Sequence, residues 1–262
     1  MTKNLKNYLV NGDIDLYRVN EISPPIFSWP EDSGQNKQQL LILEKNKNSI
    51  YYKTIISSNT YGPTGIKLYN NIQLDRVQQV WSIYILVHKL NLDLNMQNEI
   101  IFEFGGGTGQ MADVLNNLNF QGKHISYDLP EMIILQKYFV DKRNIQTKYI
   151  LDDEELHIMN GTNYLPCNQI NSEKHIMKLP NINFIATYSL TETDMDTHNK
   201  FSKYISNFKR ILIIYWPTPN FDFDNIDNEL YIRNIEKNLN KTHNCYISNN
   251  FGNGKMFCAI KK

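Results

Sequence analysis

Apolar positions recur along this chain in two rhythms, and the alternation between them predicts an α/β protein. Short apolar-rich runs read as strands at Ile100 to Phe104, the first of them buried on both faces, at Asn183 to Tyr188 and at Arg210 to Trp216, and His124 to Asp128 reads as a strand ending in an acid. Helical spacing fills the gaps. Ile72 through Val77, Val80, Trp81, Tyr84, Ile85 and His88 predict one long helix, and Met111, Val114, Leu115 and Leu118 a second. Glu131 to Val140 follows with Pro130 in its first turn; Phe201, Tyr204, Ile205 and Phe208, then Ile226 to Leu239, continue the series. The third strand is placed at Thr147 to Leu151, with Leu156 to Asn160 as the alternative, and residues 161 to 181 read as loop with one helical turn. At the end the rhythm changes. His243 to Ser248, a turn-rich stretch through Gly252 and Gly254, and Lys255 to Ile260 predict a closing antiparallel hairpin. Residues 1 to about 36 are broken by Pro24-Pro25, Trp29-Pro30 and Ser33-Gly34, and Gln38 to Lys47 predicts a short helix. The chain thus divides into a partly helical extension, 1–95, and a core, 96–262.

The core is organised around the end of its first strand. Phe102-Glu103-Phe104 runs into glycines at 105, 106, 107 and 109, and a helical pattern begins directly afterwards. Strand, glycine turn and helix N-terminus form a nucleotide-type site, because backbone must approach a ligand where any Cβ would intrude. Two patterns fit. Glu103, Gly105, Gly107 and Gly109 satisfy Glu-x-Gly-x-Gly-x-Gly, while Gly107, Gly109 and Ala112 satisfy the dinucleotide pattern Gly-x-Gly-x-x-Gly/Ala. The acid two places before the first glycine favours the former, since a carboxylate there can hold the ammonium of an amino-acid moiety. Asp128 ends the second strand at the spacing of roughly 20 residues that a ribose-binding acid requires; capping the helix at Pro130 is compatible with that role.

Glu103 to Gly109 followed by Tyr127-Asp128-Leu129-Pro130-Glu131 resembles the class I S-adenosylmethionine-dependent methyltransferases. The run Leu129 to Phe139, and Ser189-Leu190-Thr191-Glu192 after the fourth strand, are similar to the sugar O-methyltransferase family, although Thr193 replaces that family's usual Met. The resemblance implies a Rossmann-like, mostly parallel sheet closed by an antiparallel hairpin, with S-adenosylmethionine as methyl donor and S-adenosylhomocysteine as product. It places Glu103, Gly105, Gly107, Gly109, Asp128 and Leu129 at the cofactor, and Tyr61, in the Asn59–Gly65 loop, is expected to close over it. The acceptor it implies is a sugar or sugar nucleotide, with a phenolic metabolite second. A catalytically silent binding protein on the same fold is the alternative from another class.

Composition narrows the partners. Lys plus Arg and Asp plus Glu are equal at 27 each, so no basic surface for nucleic acid is expected. Cys167, Cys245 and Cys258 show neither metal spacing nor a disulfide framework, and no apolar run would span a bilayer. A cytoplasmic protein with a small-molecule acceptor is the expectation. A hydroxyl is a poor nucleophile, so a base is sought after the fourth strand, where Glu192 comes first, followed by His198 and Asp194. Capping of the next helix is the other use for Asp194 or Asp196. Tyr188, Ser189, Tyr215 and Trp216, at strand ends, are the substrate-binding candidates; Asp194-x-Asp196-x-His198 diverges on a helix, so no metal is expected.

Overall fold

The computed structural model describes residues 34–57, 68–69, 72–152, 156–217, 227–250 and 254–262. Tyr61 and residues 1–33 lie outside the described residues, as do Asp153, Glu154 and Glu155.

The run Ile100–Phe104, apolar except for Glu103, forms β3 and is buried at every position, because strands lie on both sides of it and helices cover both faces. Its neighbours are β4 (Lys123–Asp128) and β7 (Ile182–Thr187), both parallel to it. Outward from β4 come β6 (Gly161–Pro166) and the short edge strand β5 (Thr147–Tyr149). On the other side, β8 (Arg210–Tyr215) pairs parallel with β7. The chain then forms β9 (His243–Asn249) at the far edge and returns as β10 (Lys255–Lys261), antiparallel, between β8 and β9. The eight-stranded order is β5-β6-β4-β3-β7-β8-β10-β9. The mostly parallel α/β sheet with a closing antiparallel hairpin is therefore present.

One face of the sheet is covered by α1 (Gly34–Glu44), α2 (Ile50–Ile56), α3 (Leu74–His88) and α4 (Gln110–Asn117). Leu40, Ile55, Val80, Leu86 and Met111 share one core with Ile101, Ile185 and Leu212 of the strands. A two-residue hairpin, β1 (Leu68–Tyr69) with β2 (Ile72–Gln73), precedes α3. The opposite face is covered by α6 (Ile170–Ile176), α7 (Met195–Tyr204) and α8 (Asn228–Leu239), whose Phe201, Ile232 and Ile235 pack on Phe102, Phe184 and Ile211. The remaining crossover helix, α5 (Pro130–Asp141), packs through Leu135, Phe139 and Val140 on Ala112 of α4. Among the described residues no helix is long and apolar enough to cross a membrane.

One expectation needs correction. The first choice for the third strand, Thr147 to Leu151, holds β5 (Thr147–Tyr149), but the strand between it and β4 is Gly161–Pro166, inside the stretch expected as loop, where Ile170–Ile176 is also a helix. Asn-Gly, an internal Asn and a terminal Pro disguise the strand as a turn. Asn163 is fully buried, yet its amide donates to the carbonyls of His124 and Met159 and accepts from Met159 N. A polar side chain that completes its own hydrogen bonds costs little to bury. Asp152 accepts from the backbone N–H groups of Asn171 and Ser172 at the start of α6, a capping role.

Candidate functional site

The carboxyl ends of β3, β4 and β7 converge, and the turns leaving them touch one another. After Phe104 the backbone enters the left-handed region at Gly105 (φ 73°), and Gly109 (φ 79°) takes it up again as the N-cap of α4. Gly105 N donates to Tyr127 O at 2.9 Å, tying the turn to β4. From the other side Ser189 Oγ donates to Phe104 O, and a Cβ on Gly105 would lie 2.3 Å from Ser189 Cβ. Among the described residues, a Cβ on Gly107 would meet nothing within 4 Å.

Asp128 stands beside that turn. Its Oδ1 accepts from Leu129 N and its Oδ2 from Gln136 Nε2, both at 2.8 Å, and Gly107 N–H also donates to the carboxylate. Loss of surrounding water pushes the Asp128 carboxyl up to about 7, with the Glu103 charge adding to the rise while the three uncharged donors pull against it. Leu129 is exposed at the mouth, directly ahead of α5.

Glu103, the candidate ammonium ligand, already has a partner on the neighbouring strand. It is buried in β3, and its Oε2 lies 3.1 Å from His124 Nε2, whose Nδ1 lies 3.2 Å from Thr162 Oγ1. Any contact with a ligand would be made by a carboxylate already engaged with a neighbouring strand.

The β7 exit carries the acceptor-side candidates. Tyr188 is buried with φ 69° and ψ −33°, a conformation that costs a non-glycine residue on the order of 1–3 kcal/mol. Its backbone N–H donates to Ile214 O at 2.7 Å and its ring stacks on Trp216 at 4.8 Å, which hold the kink in place. The kink turns the chain out of the strand into a short 3-10 turn, Ser189–Glu192, whose last residue, Glu192, is exposed. Trp216 is half-buried. Tyr215, one residue earlier, points to the other face, where its OH donates to Glu229 Oε2 at 3.0 Å. It is therefore remote from the face on which Tyr188 and Trp216 stack, which corrects its assignment as a substrate contact.

His198 and Asp194 are likewise corrected. His198 is fully buried: Nε2 donates to Leu190 O at 2.8 Å and the ring stacks on Tyr231 at 3.9 Å. Burial holds the imidazole below its ordinary value, outweighing the Leu190 hydrogen bond and the Asp194 charge. A base must reach its proton, and among the described residues this ring meets the underside of the 3-10 turn and the Tyr231 ring. Asp194 is the N-cap of α7, accepting from Thr197 N at 2.8 Å, and that hydrogen bond lowers its carboxyl below the usual range. Glu192 is an exposed carboxylate at this strand end. Among the described residues no three His, Cys, Asp or Glu side chains are grouped to hold a metal ion.

The residue that sequence reasoning missed is Gln136. Two turns into α5, it is fully buried and bonds both Asp128 and Ser126. Its only sequence signal is position: eight residues after Asp128, on the helical face that looks back at the strand end.

No family model matches this chain, and no curated protein matches it by sequence. Among solved structures it is similar to a SAM-dependent methyltransferase from Aquifex aeolicus, at 13% identity and TM-score 0.43, covering 69% of this chain and 89% of that one. It is also similar to human N-acetylserotonin methyltransferase in complex with SAM (13% identity, TM-score 0.39, 100% and 67% covered). A third is a Methanococcus jannaschii fibrillarin, a pre-rRNA processing protein (10% identity, TM-score 0.41, 65% and 69% covered). Similarity of this depth names no family.

Proposed function

We propose that this chain is an S-adenosylmethionine-dependent O-methyltransferase acting on a hydroxyl of a small molecule, with a sugar or sugar-containing acceptor as the first class. The observation that carries the reading is the glycine turn packed against Asp128 at the carboxyl ends of β3 and β4, in a sheet whose last strand runs antiparallel. Open α/β sheets bind nucleotide-type ligands at that edge. The antiparallel hairpin separates a methyltransferase arrangement from most dinucleotide folds.

The residues fit the cofactor. No described residue would crowd a Cβ at Gly107, and the Asp128 carboxylate, when ionised, offers oxygen acceptors suited to ribose hydroxyls. Glu103, held by His124, is the candidate partner for an ammonium. The bound cofactor would supply a methyl group on a sulfonium, open to in-line displacement. The chain's own part is to orient the acceptor oxygen, exclude water and receive a proton. Glu192 is assigned the proton, and Trp216, stacked on Tyr188, offers its ring to a sugar face. Ser189 acts on the glycine turn through Phe104 O.

Calorimetric titration with S-adenosylhomocysteine, with NAD as control, tests the cofactor. Binding of the former alone, weakened in Asp128→Ala, supports the reading; NAD binding in its place refutes it. With an acceptor in hand, Glu192→Gln is expected to lower kcat by about a hundredfold or more. Near-normal turnover removes Glu192 from the role of base.

A further inference from the structure

Gln136 occupies a position that volume alone does not explain. Its amide Nε2 donates to Asp128 Oδ2 at 2.8 Å, and its Oε1 accepts from Ser126 Oγ at 2.7 Å. The two hydrogen bonds run one way, from Ser126 through the amide to the carboxylate. That polarity suits an ionised Asp128, which only accepts. The reverse polarity, with the amide oxygen facing Asp128, requires a proton on the carboxyl group.

The same side chain supports the glycine turn. A Cβ on Gly106 would lie 2.3 Å from Ser126 Oγ and 2.9 Å from Gln136 Oε1, and one on Gly109 would lie 3.1 Å from Gln136 Cβ. Turn and acid therefore rest on one buried amide, and Gly107 N–H closes the loop by reaching the same carboxylate. A glutamate would fill this space with a like charge facing Asp128. A leucine would fill it with no donor at all.

We propose that Ser126 and Gln136 form a positioning relay that favours the ionised form of Asp128 and aims it at the ribose hydroxyls while fixing the height of the glycine turn. The proposal rests on the cofactor reading above and adds to it residues that never touch the ligand. Among the described residues, the titratable group whose charge acts on Asp128 is Glu103 on β3; Tyr127 on β4 and Cys167 just after β6 stay neutral and are themselves raised by the Asp128 charge. Glu103 raises the Asp128 carboxyl, while the neutral Gln136 donor lowers it.

The test compares Gln136→Glu, Gln136→Leu and Ser126→Ala with the wild-type chain. Two readouts are used: the Asp128 carboxyl titration by carbon-13 NMR without cofactor, and the Kd for S-adenosylhomocysteine against pH. The expected order of the Asp128 midpoint is wild type lowest, Ser126→Ala slightly higher, Gln136→Leu higher again and Gln136→Glu highest. Losing a hydrogen bond to a charged group is expected to weaken binding roughly ten- to a hundredfold near neutral pH, most in Gln136→Glu. Each variant should need higher pH to recover. A packing role gives the opposite ranking, because Gln136→Glu preserves shape and would bind as the wild type does.

An Asp128 midpoint unmoved across the variants overturns the relay. Ser126→Ala leaves the volume of Gln136 intact, so its midpoint can be read even if the larger changes unfold the chain. Wild-type protein that binds no S-adenosylhomocysteine overturns the cofactor reading, and the ribose role of the relay with it. The NMR titration still decides whether the amide controls the acid.

Discussion

The two ends of one sheet treat a carboxylate in opposite ways. At the amino edge, Glu99 is buried and surrounded by cations: Arg210 Nη1 donates to both of its oxygens at 3.0 and 2.9 Å, and Lys209 Nζ lies at 3.1 Å. Asn183 Nδ2 adds a further bond at 2.8 Å, and Arg210 directs its other donors to the Leu90 and Asn91 carbonyls. At the carboxyl edge, the donors to Asp128 are uncharged, and its carboxyl is pushed up to about 7. The first acid locks the helix-to-strand connection to the sheet. The second carries a charge that its surroundings compensate only in part, which is the condition in which a ligand's hydroxyls gain most by binding.

The largest effect should come from breaking the amino edge. Arg210→Met leaves Glu99 buried without its principal partner and is expected to cost about 3–5 kcal/mol in urea unfolding. It should change cofactor affinity little in whatever fraction stays folded. The glycine turn comes next. Gly105→Ala places a Cβ against Ser189 in a left-handed backbone, so a loss of about 1–2 kcal/mol is expected together with loss of S-adenosylhomocysteine binding, read by thermal melting and calorimetry.

Asp128 should separate stability from binding. Its folded-state value lies above the ordinary carboxylate range, so its contribution to stability is present at acid pH and is lost as pH rises through about 7. Asp128→Asn is therefore expected to leave the ligand-free protein at least as stable as wild type at pH 8, by urea unfolding, while removing most binding. Wild-type affinity should increase as pH rises through about 7, and the asparagine variant should lose that dependence. The smallest effect belongs to Asp194→Ala, which removes the α7 cap. About 1 kcal/mol of stability should go, seen as a shifted urea midpoint, with the Kd for S-adenosylhomocysteine unchanged. A Kd change there would mean that α7 and the cofactor edge are coupled.

Much of this was legible because it is written in local pattern. The runs at Ile100, Asn183 and Arg210 are largely apolar on both faces, which only a central strand requires, and the turn-separated runs at the end of the chain announced the hairpin. Glycines ahead of Asp128 announced the turn and the acid. Gly161–Pro166 was not legible as a strand, because Asn163 is made burial-tolerant by carbonyls from another strand and from upstream in its own loop. His198 was read by its chemistry as a base, while its burial under Leu190 and Tyr231 depends on how α7 and α8 pack.

By itself, then, the amino-acid order determined the α/β class, most of the strands and the presence of a glycine turn followed by an acid. Periodicity and backbone freedom are properties of neighbouring residues, and they survive without knowledge of the fold. Tertiary structure decided what each polar group does. It paired Glu103 with His124, set Glu99 between two cations, sealed His198 in the core and put Gln136 under both the glycine turn and Asp128. A buried polar side chain takes its role from the partner that replaces water, and those partners come from distant parts of the chain.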